Sequence, residues 1–177
     1  MVPAVRSTID VAMWLLYRAD SAGERLQPQK LQRLLYLAQA HYAGEHDGAK
    51  LMPATFIASE VGPLEPNVYY LFEHGPPALP LAPLPAPHEE FLMGIWERYG
   101  RKNPQELGDV ARADGAYALA LNSGRDTEIT PEMLAAAYGG KRTEKVRGGA
   151  KTPADPTYWT QTGKRATKWI PGKTRRA

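Results

Sequence analysis

The chain has 177 residues, 43% of them hydrophobic, which suits one domain with a substantial core and leaves room for a tail. It contains no cysteine, which excludes a disulfide framework and a thiolate metal site and fits a reducing cytosol. The net charge of +3 is unevenly spread: residues 1–139 hold 11 Lys and Arg against 17 Asp and Glu, a net −6, whereas residues 140–177 hold 11 against 2, a net +9.

An acidic body, residues 1–139, followed by a basic extension, residues 140–177, is therefore the first organisational feature. The start of the chain lacks a basic region leading into an apolar run and a small-residue cleavage site, so secretion is not expected. The longest apolar run, residues 11–17, falls far short of the ~18 residues of a membrane span. A cytoplasmic protein without membrane contact is expected.

In chain order, Ser7 offers a hydroxyl N-cap with Asp10 three residues on, and Ile9, Ala12, Met13 and Leu16 follow at helical spacing. Asp20 to Gly23 end this first helix. Pro28 suits the first turn of a second, whose Leu31, Leu34, Leu35 and Ala38 form the strongest apolar stripe in the chain, with Gly44 or Gly48 as its stop. Residues 55–58 are β-prone, so a small β element is expected between about Leu51 and Val61, with Gly62-Pro63 as the turn after it. Pro66 opens a short helix over 67–72, with an exposed edge drawn from Val68, Tyr69 and Tyr70.

Residues 75–87 include six prolines and read as an extended connector, either a stiff strap over the surface or a polyproline ligand for an aromatic groove. A fourth helix is expected over 88–99, with Phe91, Leu92, Ile95 and Trp96 on one side. Asn103-Pro104-Gln105-Glu106 is a capped start, with one or two helices over 107–121. Thr130-Pro131 opens a last one over 133–138, closed by Gly139-Gly140. The fold class is mainly α: a helical domain of six to seven helices, a small β element and a basic C-terminal tail.

Signals for catalysis are weak, and no catalytic residue, metal ligand or cofactor is assigned. The four histidines, at 41, 46, 74 and 88, form no HExxH pair, no serine sits in a G-x-S-x-G elbow, and Glu89, Glu90, Glu128 and Glu132 suit helix starts. Gly172-Lys173-Thr174 imitates the end of a phosphate loop but has Thr167 in place of the required glycine. Two stretches stand out instead. In Leu31 to Gln39, Tyr36 and Gln39 lie outside the leucine stripe, three residues apart, and can share a polar-aromatic edge. In Ala58 to Tyr70, Gly62 and Pro63 feed the helix that bears Tyr69 and Tyr70.

Lys30, Leu31, Leu34, Leu35, Tyr36, Leu37, Ala38 and Gln39, followed by Ala58, Gly62, Pro63, Val68 and Tyr69, resemble in order and spacing the Panacea antitoxin domain of the SocA type. The resemblance is clear over residues 7–75, extends more weakly to about 138 and does not reach the tail. The chain departs from it at Ser59, where the family usually has tryptophan, at Leu64 in place of valine, and at Ala111-Arg112 and Ala116-Tyr117 in place of a Thr-His and a Pro-Trp pattern. The resemblance implies a bacterial or phage antitoxin that silences a cognate toxin protein by direct contact. It also implies an adaptor role, delivering the toxin to an ATP-dependent protease through a ClpX-type unfoldase. The expected partner-binding residues are Tyr36, Gln39, Gly62, Pro63, Tyr69, Tyr70, Trp159 and Trp169, with Tyr36, Gln39 and Tyr69 as the foremost contacts. The rival reading is a nucleic-acid-binding regulator acting through the basic tail, whose Trp159 and Trp169 could stack on bases or anchor a protein.

Overall fold

In the computed structural model, which describes residues 2–140, the strongest sequence stripe becomes the axis of the fold. Helix α2 (Pro28–Glu45) starts as expected, with Pro28 in its first turn behind an extended Gln27. Its residues Lys30 to Ala40 are buried without a break. The leucine stripe is thus one side of a helix covered all round. Asp47 and Gly48, both at positive φ, turn the chain away after it. Gly44 stays helical and serves close packing instead, because a Cβ there would lie 2.6 Å from the carbonyl carbon of Tyr138.

Six further helices surround this axis: α1 (Thr8–Ser21), α3 (Pro66–Phe72), α4 (Ala86–Tyr99), α5 (Pro104–Arg112), α6 (Gly115–Ser123) and α7 (Pro131–Tyr138). The described residues are therefore mainly α, with seven helices and a small antiparallel sheet. Helix α1 is capped by Ser7, whose Oγ accepts the Ile9 N–H at 3.1 Å. Its buried face is Thr8, Val11, Ala12, Leu15 and Ala19, with Trp14. That face is rotated from the expected stripe, leaving Met13 and Leu16 half-buried. Helix α4 begins at Ala86, two residues ahead of the expected start, and residues 76–85 of the proline-rich connector form no helix or strand. Helix α5 carries the expected capping box, Asn103 Oδ1 accepting the Glu106 N–H at 2.9 Å and Glu106 Oε2 the Asn103 N–H at 2.7 Å.

The sheet has the order β2-β1-β3, built from β1 (Phe56–Ser59), β2 (Gly62–Leu64) and β3 (Thr127–Ile129). Strand β1 pairs with β2 through Ile57 opposite Leu64 and Ser59 opposite Gly62, so the tight turn is Glu60-Val61. Gly62-Pro63, expected as a turn, is strand instead, and Pro63 is tolerated because β2 is an edge. Strand β3 lies outside the expected β region; it pairs Phe56 with Ile129 and Ala58 with Thr127.

Candidate partner-binding groove

The stretches around α2 and around Gly62 to Tyr70 meet in space, and buried polar side chains of α2 join them. Gln32, 4% exposed, grips the backbone of Glu65 at both ends of its amide: Nε2 donates to Glu65 O at 3.3 Å, and Oε1 accepts the Glu65 N–H at 2.8 Å. The buried Glu65 carboxylate in turn caps α3, accepting the Val68 N–H at 2.6 Å and Asn67 Nδ2 at 3.0 Å. Arg33 donates to the Val61 carbonyl at the hairpin turn and to Gln29 O at 3.3 Å. Gly62 sits at φ +124°, and a Cβ there would lie 3.0 Å from Arg33 Nη2, so conformation and space both call for glycine.

These bonds hold β2 and α3 apart from the first turns of α2, leaving a groove of about 380 Å³ between them. Buried Leu31, Val68 and Phe72 line it together with Val61, Pro63, Leu64 and Tyr69. Large apolar side chains stand exposed at the hairpin turn and on α3: Val61 at 64%, Tyr69 at 45%, Tyr70 at 71% and Leu71 at 41%. Tyr69 and Tyr70 meet edge to face at 5.6 Å. A second hollow, about 590 Å³, adjoins the groove through Pro28, Leu31, Phe72 and Glu73. Clustered exposed apolar side chains beside a concave apolar surface are what a macromolecular contact site requires.

Of the expected contact residues, Tyr69 lines the groove, Gly62 and Pro63 shape it, and Tyr70 is exposed on α3 outside the lining. Val68, assigned to the same exposed edge, is instead buried. Tyr36 and Gln39 form no accessible edge. Tyr36 is 0% exposed, packs edge to face on Phe56 at 5.6 Å, and donates its hydroxyl to Asp114 Oδ2 at 2.6 Å. Burial first, and the Asp114 carboxylate second, push its phenol far above the usual tyrosine range. Gln39 is 2% exposed, its Oε1 accepting the Leu51 and Met52 N–H groups at 3.1 and 3.2 Å. Neighbours enclose α2 from Lys30 to Ala40, so positions outside the leucine stripe also face the interior. Trp159 and Trp169 lie outside the described residues.

Asp114 is the second organising carboxylate. Oδ2 accepts from Tyr36 and from Tyr138, the latter at 2.8 Å, while Oδ1 accepts the Tyr117 N–H at 2.8 Å. Tyr117 donates its hydroxyl to Ser59 O at 2.7 Å, which ties α6 to the hairpin. These contacts are structural. His41 is likewise engaged, its Nε2 2.8 Å from Tyr99 Oη, and burial lowers its pKa. Among the described residues no group of three or more His, Asp or Glu is placed to hold a metal ion.

Sequence reasoning passed over Gln32, Arg33, Leu71 and Phe72. The available signal was a pair of adjacent polar residues inside the most apolar helix of the chain, whose burial demands partners. No family model matches the chain, and neither a curated protein nor a solved structure does so.

Proposed function

We propose that the chain is an antitoxin of the Panacea type, acting in the bacterial cytoplasm by binding its cognate toxin at the groove between α2, the hairpin and α3. The observation that carries this reading is the exposure of Val61 and Tyr69 on an apolar groove whose walls come from the two stretches that resemble that domain. Exposed aromatic anchors on a rigid support suit protein recognition, since they bury a large area while giving up little rotamer freedom. In this reading the chain acts without catalysis. An adaptor role, passing the toxin to a ClpX-type unfoldase, needs a second surface away from the groove.

The test is genetic. The protein encoded beside this chain, expressed alone, should arrest growth, and co-expression of this chain should restore it. Tyr69→Ala should weaken the rescue while the variant accumulates to a normal level. Failure of the wild-type chain to rescue growth removes the antitoxin reading.

A further inference from the structure

Two cations are buried among the described residues, and only one has a carboxylate. Lys30 pairs with Glu24 at 3.0 Å and lies 5.9 Å from the centre of the Trp96 ring. Arg33, 8% exposed, makes no ion pair; its terminal nitrogens donate to two neutral carbonyls, and its Nε has no partner. The acids around it are spoken for or distant. Glu65 is committed to the α3 cap, Glu60 to Arg125 and Asp109 to Arg112, while Glu73 lines the groove without pairing with Arg33. Arg112 adds to the positive charge: Cβ atoms built on Gly108 would lie 3.2 Å from Arg33 Nε and 3.4 Å from Arg112 Nη2. Burial and Arg112 both act against the Arg33 charge, with Tyr117 opposing them. A guanidinium so placed, withdrawn from water beside a second arginine and without an ion pair, is an uncompensated charge in a groove whose lining is mostly apolar.

We infer that the groove takes a segment of the partner protein that lays aromatic or aliphatic side chains against Leu31, Val68 and Phe72 and points one Asp or Glu carboxylate at Arg33. The inference rests on the groove being the partner site and adds the chemistry of what fills it. Charge complementarity selects the occupant. The chain's own tail carries a net +9 and would bring like charge to Arg33, whereas an acidic side chain meets a planar donor fork suited to carboxylates. The fixed carbonyl partners of Arg33 hold the fork in place beforehand, so little side-chain freedom is lost on binding.

A library of random twelve-residue peptides displayed on phage, panned against the full chain, tests this directly. Such peptides are fused at their C-termini, so any carboxylate selected belongs to a side chain. The expected winners combine large apolar residues with at least one Asp or Glu. Replacing that acid by its amide in a synthetic peptide should weaken binding to the wild-type chain about thirtyfold. Arg33→Met should erase the difference between acid and amide, whereas Tyr69→Ala, which trims a side chain lining the groove, should weaken both peptides alike. The acid-to-amide comparison needs no protein variant, so it stands even if Arg33→Met misfolds. Acid-free apolar peptides that respond to Tyr69→Ala would overturn the carboxylate assignment and leave the groove reading intact. Winners indifferent to both Tyr69 and Arg33, or no winners at all, would overturn both. Basic winners, or an acid-to-amide change below about threefold, also sink the assignment.

Discussion

Tyr36 and Asp114, 78 residues apart in the chain, are joined by a 2.6 Å hydrogen bond that locks the central helix to the start of α6. Tyr138 donates to the same carboxylate oxygen, and both phenols are shifted upward, burial being the first cause in each. A group whose folded pKa is raised stabilises the fold fully below its unfolded pKa and loses that contribution as pH climbs towards the folded value. Unfolded tyrosines ionise near pH 10, so stability should begin to fall there, by about 1.4 kcal/mol per pH unit for each tyrosine held neutral. Urea unfolding between pH 8 and 11.5 measures the slope, and Tyr36→Phe should reduce it. A flat profile to pH 11.5 contradicts the buried network.

Position 62 separates a shaped groove from a generic one. Gly62→Val forces a β-branched residue to φ +124° and a Cβ to within 3.0 Å of Arg33. The expected cost is about 2 kcal/mol or more of stability. Partner binding should fall with it, because the Arg33 clamp on the hairpin turn is displaced. Chemical denaturation and calorimetric titration with the partner check the two effects, and unchanged affinity in a folded variant would remove the hairpin from the binding site.

Tyr36 and Tyr69 should behave oppositely. Tyr69→Ala trims a groove-lining side chain that is 45% exposed, so stability should fall by no more than about 1 kcal/mol while affinity for the partner falls about thirtyfold. Tyr36→Ala removes a fully buried ring and strips Asp114 of a donor, costing about 3 to 5 kcal/mol of stability. Paired melting and binding curves distinguish them. If Tyr69→Ala shifts affinity by less than about threefold, the contact surface lies elsewhere.

The rival reading assigns nucleic-acid binding to residues 140–177, and salt separates the two readings. If the tail binds nucleic acid, affinity for an unrelated oligonucleotide should fall steeply with salt, with a log–log slope of about −0.7 per phosphate neutralised on a single strand and −0.9 on duplex. A chain ending at residue 139 should lose that binding. We expect partner binding with weak salt dependence, governed by apolar anchors that salt does not screen. Tight, steeply salt-dependent oligonucleotide binding by the full chain, absent from the truncated one, would falsify the protein-contact reading of the tail.

Much of this architecture was legible from local chemistry. Ser7, Asn103 and Thr130 announced their helices through side-chain caps, and Pro28, Pro66 and Pro131 marked first turns, because these signals depend on a few neighbouring residues. What failed depended on distant partners. Tyr36 and Gln39 read as a surface edge since nothing nearby reveals that Asp114, Leu51 and Met52 wait for them inside. Strand β3, three residues long, is too brief to show alternation and exists because β1 offers it an edge. Gly62-Pro63 carries a strong turn signature, yet the hairpin turns two residues earlier at Glu60-Val61, where Arg33 fastens the Val61 carbonyl. The groove followed the same division: its aromatic rim could be read from sequence, and its buried arginine could not.

Pro63 at the middle of β2 has a consequence for solubility. A sheet edge beside exposed tyrosines invites strand-by-strand addition of other chains, the route by which sticky surfaces aggregate. Proline has no amide hydrogen, and an edge only three residues long with proline at its centre offers little ladder for an incoming strand. The molecule can therefore keep Val61, Tyr69 and Tyr70 available to a partner while withholding the backbone template beside them. Replacing Pro63 with a residue that donates would trade this protection for a second, indiscriminate way of being bound.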